Sequence, residues 1–415
     1  MGKKFIKLIT SLQLTVACLC CSMVVVFFGT MAQDPLGLYI AQERFFHSFF
    51  IDWTAMLAAI QKTLQMVDVY VETPVTGADV VSSSGFPMFP GGYLLGSVLL
   101  VNLIAAHMTR FKFTKDRIGI FLTHVGIILL LVGQLFTDLF ATESSMRLEE
   151  GETRNYTEDF RANELAIIDL SSPDHDTVVS IPESKLRKGA MLSHEALPFK
   201  IRITDFWKNS DIARESKPGF TRVEADHGPG AQFHVKEIPP VTAMDNRDMP
   251  STVVEIIDSD HGHGKWFLSS MLKRQVMDHH GKQYAMTFRF KRYYTPYSIT
   301  LLKANHDKYK GTEIPRNFSS RVAVTNPDTK ENREVKIFMN NPLRYEGKTY
   351  YQYQMAADEM FLQQGMKPTS TFQVVENASW LAPYAACVIV GLGLLIQFMM
   401  HFLKFIERSK AKAKA

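Results

Sequence analysis

The sequence predicts a membrane protein with four transmembrane α-helices and a large extracytoplasmic β-rich, sandwich-like domain. Four apolar stretches among the 415 residues are long enough to cross a bilayer, which takes roughly 20 residues. A long stretch between the third and the fourth alternates apolar with polar residues, as strands do. The net charge of +4 is too small to indicate a nucleic-acid partner, and the basic residues gather beside the apolar stretches instead.

The apolar stretches lie at about residues 8–32, 92–109, 118–140 and 380–403. The first follows a basic N-terminus but runs well past the core length of a signal peptide. No small-x-small cleavage motif follows it cleanly, so we expect an uncleaved anchor. The turn between the second and third stretches is short, which predicts an antiparallel helical hairpin.

Basic residues near the membrane ends predict the orientation, because Lys and Arg favour the cytoplasmic side. They cluster before the first span, between the second and third, and after the fourth: Lys3, Lys4, Lys7; Arg110, Lys112, Lys115, Arg117; Lys404, Arg408, Lys410, Lys412, Lys414. With four spans these places share one side, so both termini are predicted to be cytoplasmic, with the chain in the cytoplasmic (inner) membrane.

This topology divides the chain into five predicted segments. They are the cytoplasmic N-terminus and first span (1–32), an external loop with an amphipathic helix (33–91), the second and third spans (92–140), the extracytoplasmic β-rich domain (141–379), and the fourth span with a basic cytoplasmic tail (380–415). Aromatic residues at helical spacing in 41–68 predict that the amphipathic helix lies on the outer membrane surface or packs on the soluble domain.

The cysteines and motifs exclude several functions. All four cysteines, Cys18, Cys20, Cys21 and Cys387, fall in predicted spans, so the β-rich domain has no thiol and is not a thiol–disulfide oxidoreductase. The chain has no CxxCH motif and is therefore not itself a c-type cytochrome. It also has no nucleophile elbow, P-loop or HExxH motif. We therefore expect the β-rich domain to serve as a scaffold or as a partner-docking surface and to perform no catalysis.

His124 is the one ionisable side chain in the apolar run "FLTHVGIILLLVGQLF", and such residues usually have a function. Glycines recur every seven residues at Gly119, Gly126 and Gly133, a stripe suited to close packing, and helical geometry places His124 nearly opposite Gly126. We therefore expect His124 to lie on the face away from the tight packing within the hairpin. Either it is an axial ligand for haem or it bonds a carbonyl of a neighbouring helix.

Two further places in the sequence contain histidines that could bind a ligand, and each also has a simpler explanation. His107 ends the second span beside Arg110, where it is either a ligand or a residue at headgroup depth. The segments "DSDHGHGK" (258–265) and "DHH" (278–280) contain residue types that bind metals. They lack cysteines and a regular ligand spacing, so we predict polar loops and no metal site.

Several segments carry a resemblance to a known family, and they cover nearly the whole chain. They are "SLQLTVACL", "FPGGYLLGSVLLVNLIAAHMTRFK", "RIGIFLTHVGIILLLVGQLF", "MRLEEGET", "LPFKIRITDF" and "NNPLRYEGKTYYQYQMA". On these segments, and on its layout of three spans, an exported domain and a last span, the chain resembles the ResB-like family of System II cytochrome c biogenesis proteins.

The resemblance implies a function. Such proteins pair with a polytopic, Trp-rich haem-handling membrane protein, and the complex moves haem outward and attaches it to CxxCH apocytochromes. A histidine in the third span serves as an axial haem ligand, and the matching residue here is His124. The four tryptophans of this chain are widely scattered, so the Trp-rich site belongs to a separate partner. The segment 41–68 is larger than the simplest family pattern.

We therefore predict a non-catalytic subunit of a cytochrome c synthase complex, with haem bound transiently and shared with the partner. The other expected partners are apocytochrome c and membrane lipid, and no nucleic acid. Two alternatives stay open. One is a membrane b-type cytochrome in which His107 and His124 ligate one haem, and the other is a membrane-anchored extracytoplasmic binding or sensor protein without haem.

Overall fold

The computed structural model describes residues 2–83, 85–110, 114–173, 175–242, 246–258, 262–309, 315–356 and 365–414. Lys112 of the predicted basic turn and residues 259–261 of the first histidine-rich segment lie outside the described residues. The chain forms two compact units. The helical unit comprises Met1–Ala141, Thr242–Asp245 and Asn377–Ala415, and the β-rich unit comprises Thr142–Val241 and Asn246–Glu376.

The helical unit contains the apolar helices. Its described helices are α1 (Gly2–Ile9), α2 (Leu12–Leu36), α3 (Leu38–Ala41), a π-helical turn (Gln42–Phe46), α4 (Trp53–Met66), α5 (Gly77–Ser82), α6 (Gly92–Arg110), α7 (Ile118–Phe140) and α8 (Ala382–Lys414). Among the described residues, four helices are long and apolar enough to cross a membrane: α2, α6, α7 together with the 3-10 turn before it (Lys115–Arg117), and α8. The four predicted apolar stretches thus form helices that could cross a membrane, and the number of spans and their orientation stay predictions.

The segment 41–68 does not form the single amphipathic helix that its aromatic spacing predicts. After the π-helical turn the chain extends into β1 (Phe50–Asp52), which pairs with β2 (Pro87–Pro90). Helix α4 then starts afresh, because the carboxylate of Asp52 caps it by accepting the backbone N–H of Ala55 at 2.9 Å. The buried face of α4 belongs to the same apolar core as α2, through Ala55, Met56, Ala58 and Ala59.

The glycine stripe of α7 packs against α8. A methyl group added to Gly126 would lie 2.5 Å from Cγ2 of Val390 and 3.0 Å from the carbonyl oxygen of Ala386. Gly119 and Gly133 likewise face residues of α8. The expectation of tight packing within the α6–α7 hairpin is therefore wrong. Small residues on α7 and α8 allow these two backbones to approach each other closely.

The β-rich unit consists of antiparallel strands. They are β3 (Thr142–Glu149), β4 (Thr153–Asp169), β5 (Thr177–Pro182), β6 (Met191–Leu192), β7 (Lys200–Trp207), β8 (Ser210–Ala213), β9 (Thr221–Arg222), β10 (His234–Glu237), β11 (Ser251–Ile257), β12 (Gly262–Ser269), β13 (Gln275–His279), β14 (Lys282–Lys308), β15 (Pro315–Asn326), β16 (Glu331–Phe338), β17 (Leu343–Tyr345), β18 (Lys348–Ala356) and β19 (Thr369–Glu376). A ten-stranded sheet has the order β16-β15-β14-β4-β3-β19-β18-β17, with β13 on β14 and β5 on β4. Sheets of four (β12-β11-β7-β6) and three strands (β8-β10-β9) accompany it.

Two apolar cores hold the ten-stranded sheet, and the long strand β14 contributes to both. In the first core, Ile201 and Ile203 of the four-stranded sheet pack with Met286 and Phe288 of β14, as in a sandwich. The second core gathers the later part of β14 with β15, β18 and β19, and its buried side chains include Tyr297. In "FKIRITDF" and "MTFRFK" apolar residues alternate with polar ones, as in strands, and these four apolar residues are buried.

Tyr350, in the segment "NNPLRYEGKTYYQ", shows what that segment contributes to the second core. Its side chain is fully buried, and its hydroxyl is 2.8 Å from that of Tyr297. Burial raises the pKa of both hydroxyls, so both stay protonated and hydrogen-bonded. We expect Tyr350→Phe to lower the free energy of unfolding by about 1–3 kcal/mol, because it leaves the hydroxyl of Tyr297 buried without its partner.

The measurement is urea unfolding of the detergent-solubilised chain, followed by circular dichroism of the strands. Tyr351→Phe is the matched control, since Tyr351 is the next residue and its side chain is 38% exposed. It is expected to change the free energy of unfolding by about 0.5 kcal/mol at most. Equal stability of the two variants would show that the buried hydroxyl pair contributes nothing to the fold.

Candidate functional site

The α6–α7 hairpin brings His107 and His124 together. The centroids of the two imidazole rings lie 4.7 Å apart and their planes are inclined at 61°. His107 is near the end of α6 and His124 is near the start of α7, so the antiparallel helices place both rings in the same half of the hairpin. Phe121, one turn before His124, lies 6.4 Å from the ring of His107.

Each imidazole is oriented by a carbonyl of its own helix. Nδ1 of His124 lies 2.9 Å from the carbonyl oxygen of Ile120, and Nδ1 of His107 lies 3.1 Å from that of Leu103. A carbonyl oxygen only accepts hydrogen bonds, so Nδ1 carries the proton of each neutral ring. Nε2 is therefore the nitrogen with a lone pair, and it is the atom that a metal ion or haem iron would bind.

The structure corrects the predicted surroundings of His124. His124 and Gly126 do face different helices, but Gly126 faces α8, whereas His124 faces His107 on α6. A helix of this kind has two packing faces, and residue spacing alone does not identify the partner of each face. The carbonyl that holds His124 comes from its own helix, which differs from the interhelical bond considered as an alternative.

The contact between the rings bears on the b-type cytochrome alternative. A centroid separation of 4.7 Å is direct ring contact, near the short end of the range for aromatic pairs. No planar macrocycle fits between the rings at that separation. If both histidines were to ligate one haem from opposite faces, the hairpin would have to open.

A cavity of about 290 Å³ lies in the other half of the same hairpin. Its lining includes Tyr93 of α6 and Leu131, Gln134 and Asp138 of α7. Gln134 is ten residues after His124, or about 15 Å along the helix. The side chain of Gln134 donates to the carboxylate of Asp138 at 2.8 Å, so the cavity combines apolar walls with a polar end.

His47 lines this cavity from outside the hairpin, and residue spacing does not predict that position. Its ring stacks on Tyr93 with centroids 5.7 Å apart and planes inclined at 11°, and its Nδ1 lies 3.0 Å from Oε1 of Glu43. Only the backbone path after the π-helical turn brings His47 to α6. The aromatic pattern of 41–68 indicates an amphipathic surface, without indicating which residue meets the hairpin.

Comparison with known proteins connects the chain with one family. The model of the ResB-like family matches residues 267–371, from the last residues of β12 into β19. Protein NrfI of Wolinella succinogenes is 26% identical over 269 residues, which cover 64% of this chain and 26% of that protein. The chain thus spans about a quarter of the length of this relative. The family match lies in the β-rich unit and does not include His107 or His124. The resemblance to the ResB-like family that the sequence indicates is confirmed through residues 267–371 of the chain.

Proposed function

We propose that this chain is a non-catalytic subunit of a membrane cytochrome c synthase complex, in which His124 is a transient axial ligand for haem. The similarity to the ResB-like family supports a role in cytochrome c biogenesis. The single observation that carries the site is the Nδ1 contact of His124 with the carbonyl of Ile120, which leaves the Nε2 lone pair for a ligand.

Haem in this proposal is cargo. Its macrocycle is apolar and its iron binds neutral imidazole. An apolar helix would therefore accommodate the macrocycle, and a histidine on that helix would bind the iron. The ring of His107 contacts that of His124 directly. His107 therefore lies beside His124 and is not placed to bind the iron from the opposite face of the haem. We therefore assign the second axial ligand to the partner, the polytopic Trp-rich haem-handling protein, and expect this chain alone to retain little haem.

The β-rich unit has a supporting role in the proposal. All four cysteines lie in α2 and α8, so the unit offers no thiol to an apocytochrome. Thioether formation at CxxCH needs reduced thiols, and a cysteine-free docking surface avoids mixed disulfides with them. We propose that this unit holds the apocytochrome or steadies the partner, and that haem is attached elsewhere in the complex.

The test is reconstitution with a c-type reporter. The chain, a Trp-rich partner and an apocytochrome are co-expressed, and covalent haem on the reporter is measured after denaturing electrophoresis. We expect covalent haem only when the chain and partner are both present, and haem absorbance in the purified pair but little in the chain alone. A reporter with AxxAH in place of CxxCH is the control for non-covalent haem.

Two results would contradict the proposal. A stable two-histidine haem spectrum from the chain alone would favour the b-type cytochrome. Full reporter maturation without the chain, together with no haem in any preparation of the chain or of its complex with the partner, would favour a haem-free anchored binding or sensor protein.

A further inference from the structure

The β-rich unit contains a second group of metal-binding residue types, far along the sequence from the hairpin. Asp258, just after β11, lies beside His279 and His280 at the turn between β13 and β14, with one ligand atom of each within 4.8 Å of the others. These residues come from the segments 258–265 and 278–280, which the sequence predicts to be polar loops without a metal site. The chain fold unites them in one cluster.

Backbone geometry explains how two adjacent histidines face the same point. Successive side chains of a strand point to opposite faces, so neighbouring residues in a strand do not share a ligand. His279 pairs with Lys282, which leaves His280 and Gly281 as a two-residue turn. Both turn residues have positive φ, 48° at His280 and 75° at Gly281, the conformation in which hairpin turns usually place Asn-Gly. The left-handed backbone brings the two rings to a centroid distance of 4.4 Å.

The three side chains differ in burial: two are nearly buried and one is exposed to solvent. This suits a metal site that is held by the fold on one side and reached by solvent on the other. The side chain of His279 is 1% exposed, and its ring packs against Phe199 with centroids 5.2 Å apart. Asp258 is 11% exposed, whereas His280 is 68% exposed. Solvent therefore reaches the cluster from the side of His280, while His279 and Asp258 are held by the fold.

The distances fit the coordination shell of zinc. Oδ2 of Asp258 lies 3.0 Å from Nε2 of His280 and 3.6 Å from Nε2 of His279. Zinc bonds of about 2.0–2.1 Å in a tetrahedron separate neighbouring ligand atoms by roughly 3.4 Å, between these two values. The third separation, between the ligand atoms of His279 and His280, is within 4.8 Å, and a rotation of the 68% exposed side chain of His280 would adjust it. Imidazole nitrogens together with one carboxylate oxygen favour zinc over calcium or magnesium.

We propose that Asp258, His279 and His280 form a Zn²⁺ site in the β-rich unit, with the remaining coordination position open to solvent. Bound zinc would fasten the β13–β14 turn to the end of β11. The proposal rests only on this cluster, so it stands or falls independently of the role of His124.

The test uses the full chain in detergent, freed of metal with a chelator and titrated with Zn²⁺ against a chromophoric competitor. We expect saturable binding of one ion to the cluster. His280→Ala and Asp258→Asn are each expected to weaken this binding at least tenfold, since even residues that only orient ligands contribute about 10–100-fold. Co²⁺ in place of Zn²⁺ should give visible d–d absorption that His280→Ala removes. Because His280 lies in an exposed turn, its replacement is expected to leave the circular dichroism unchanged.

His227→Ala is the matched control. Nδ1 of His227 contacts Oδ1 of Asp226 at 2.7 Å, and within the part of the chain that the structure describes no third metal-binding side chain joins this pair. Its replacement is expected to leave Zn²⁺ affinity unchanged. If the wild-type chain shows no saturable binding, or if His280→Ala and Asp258→Asn bind like His227→Ala, the cluster is a hydrogen-bonded group without a metal.

Discussion

Replacing His124 with alanine is expected to remove haem from the purified complex and to lower covalent haem on a c-type reporter by at least about tenfold. The ring that is lost is the one whose Nε2 is available for iron, because its Nδ1 is occupied by the carbonyl of Ile120. The measurements are the haem absorbance of the co-purified pair and haem staining of the reporter. The helix itself should persist, since alanine is the strongest helix former.

Comparison variants separate ligation from packing. His107→Ala is expected to have a smaller effect, because His107 contacts the ring of His124 without opposing it. His401→Ala is the control for loss of any histidine from an apolar helix, since His401 lies on an exposed face of α8 and contacts Gln397. Added imidazole should restore haem binding to His124→Gly, which a purely structural role would not allow. Full haem occupancy and reporter maturation with His124→Ala would refute ligation by this residue.

The second large effect is expected from Gly393→Leu on α8. A Cβ atom at this position would lie 2.7 Å from the backbone nitrogen of Thr123 and 2.8 Å from the carbonyl oxygen of Gly119. The atoms in contact belong to the backbone of α7 and cannot rotate away as a flexible side chain could. The two helices must therefore separate. We expect the free energy of unfolding of the helical unit to fall by about 1–3 kcal/mol or more. The measurement is the midpoint of unfolding on titration with a denaturing detergent, which should be lower than in the wild type.

Gly391→Leu is the matched control for this prediction. Gly391 lies on the same helix two residues earlier, and a Cβ atom there would meet no atom within 4 Å. Its replacement should leave the midpoint unchanged, although it adds the same side chain to the same apolar helix. An equal effect of the two substitutions would show that the close approach of α7 and α8 does not stabilise the helical unit.

The sequence predicts those parts of the fold that depend on local residue patterns, namely the apolar helices and the alternating strands. Apolar runs of sufficient length specify α2, α6, α7 and α8, because a segment in lipid must satisfy its own backbone hydrogen bonds. Alternation specifies strands such as β7, because one side of a sheet must be buried. The single helix predicted for 41–68 is wrong because an Asp52 cap and strand pairing outweigh the aromatic spacing.

For the candidate site, sequence alone determined that His124 is an imidazole on an apolar helix, nearly opposite a glycine stripe. Only the tertiary structure shows that the glycine stripe packs against α8 and that the ring of His107 contacts that of His124. The sequence does not identify α8 as the partner, because any helix with small residues could pack against the stripe. The tertiary structure also decided that Asp258 meets His279 and His280. Their separation along the chain closes only through the register of β11 and β14 in their sheets and the left-handed turn at His280. Such contacts depend on strand pairing and burial across the whole unit, which residue spacing does not encode.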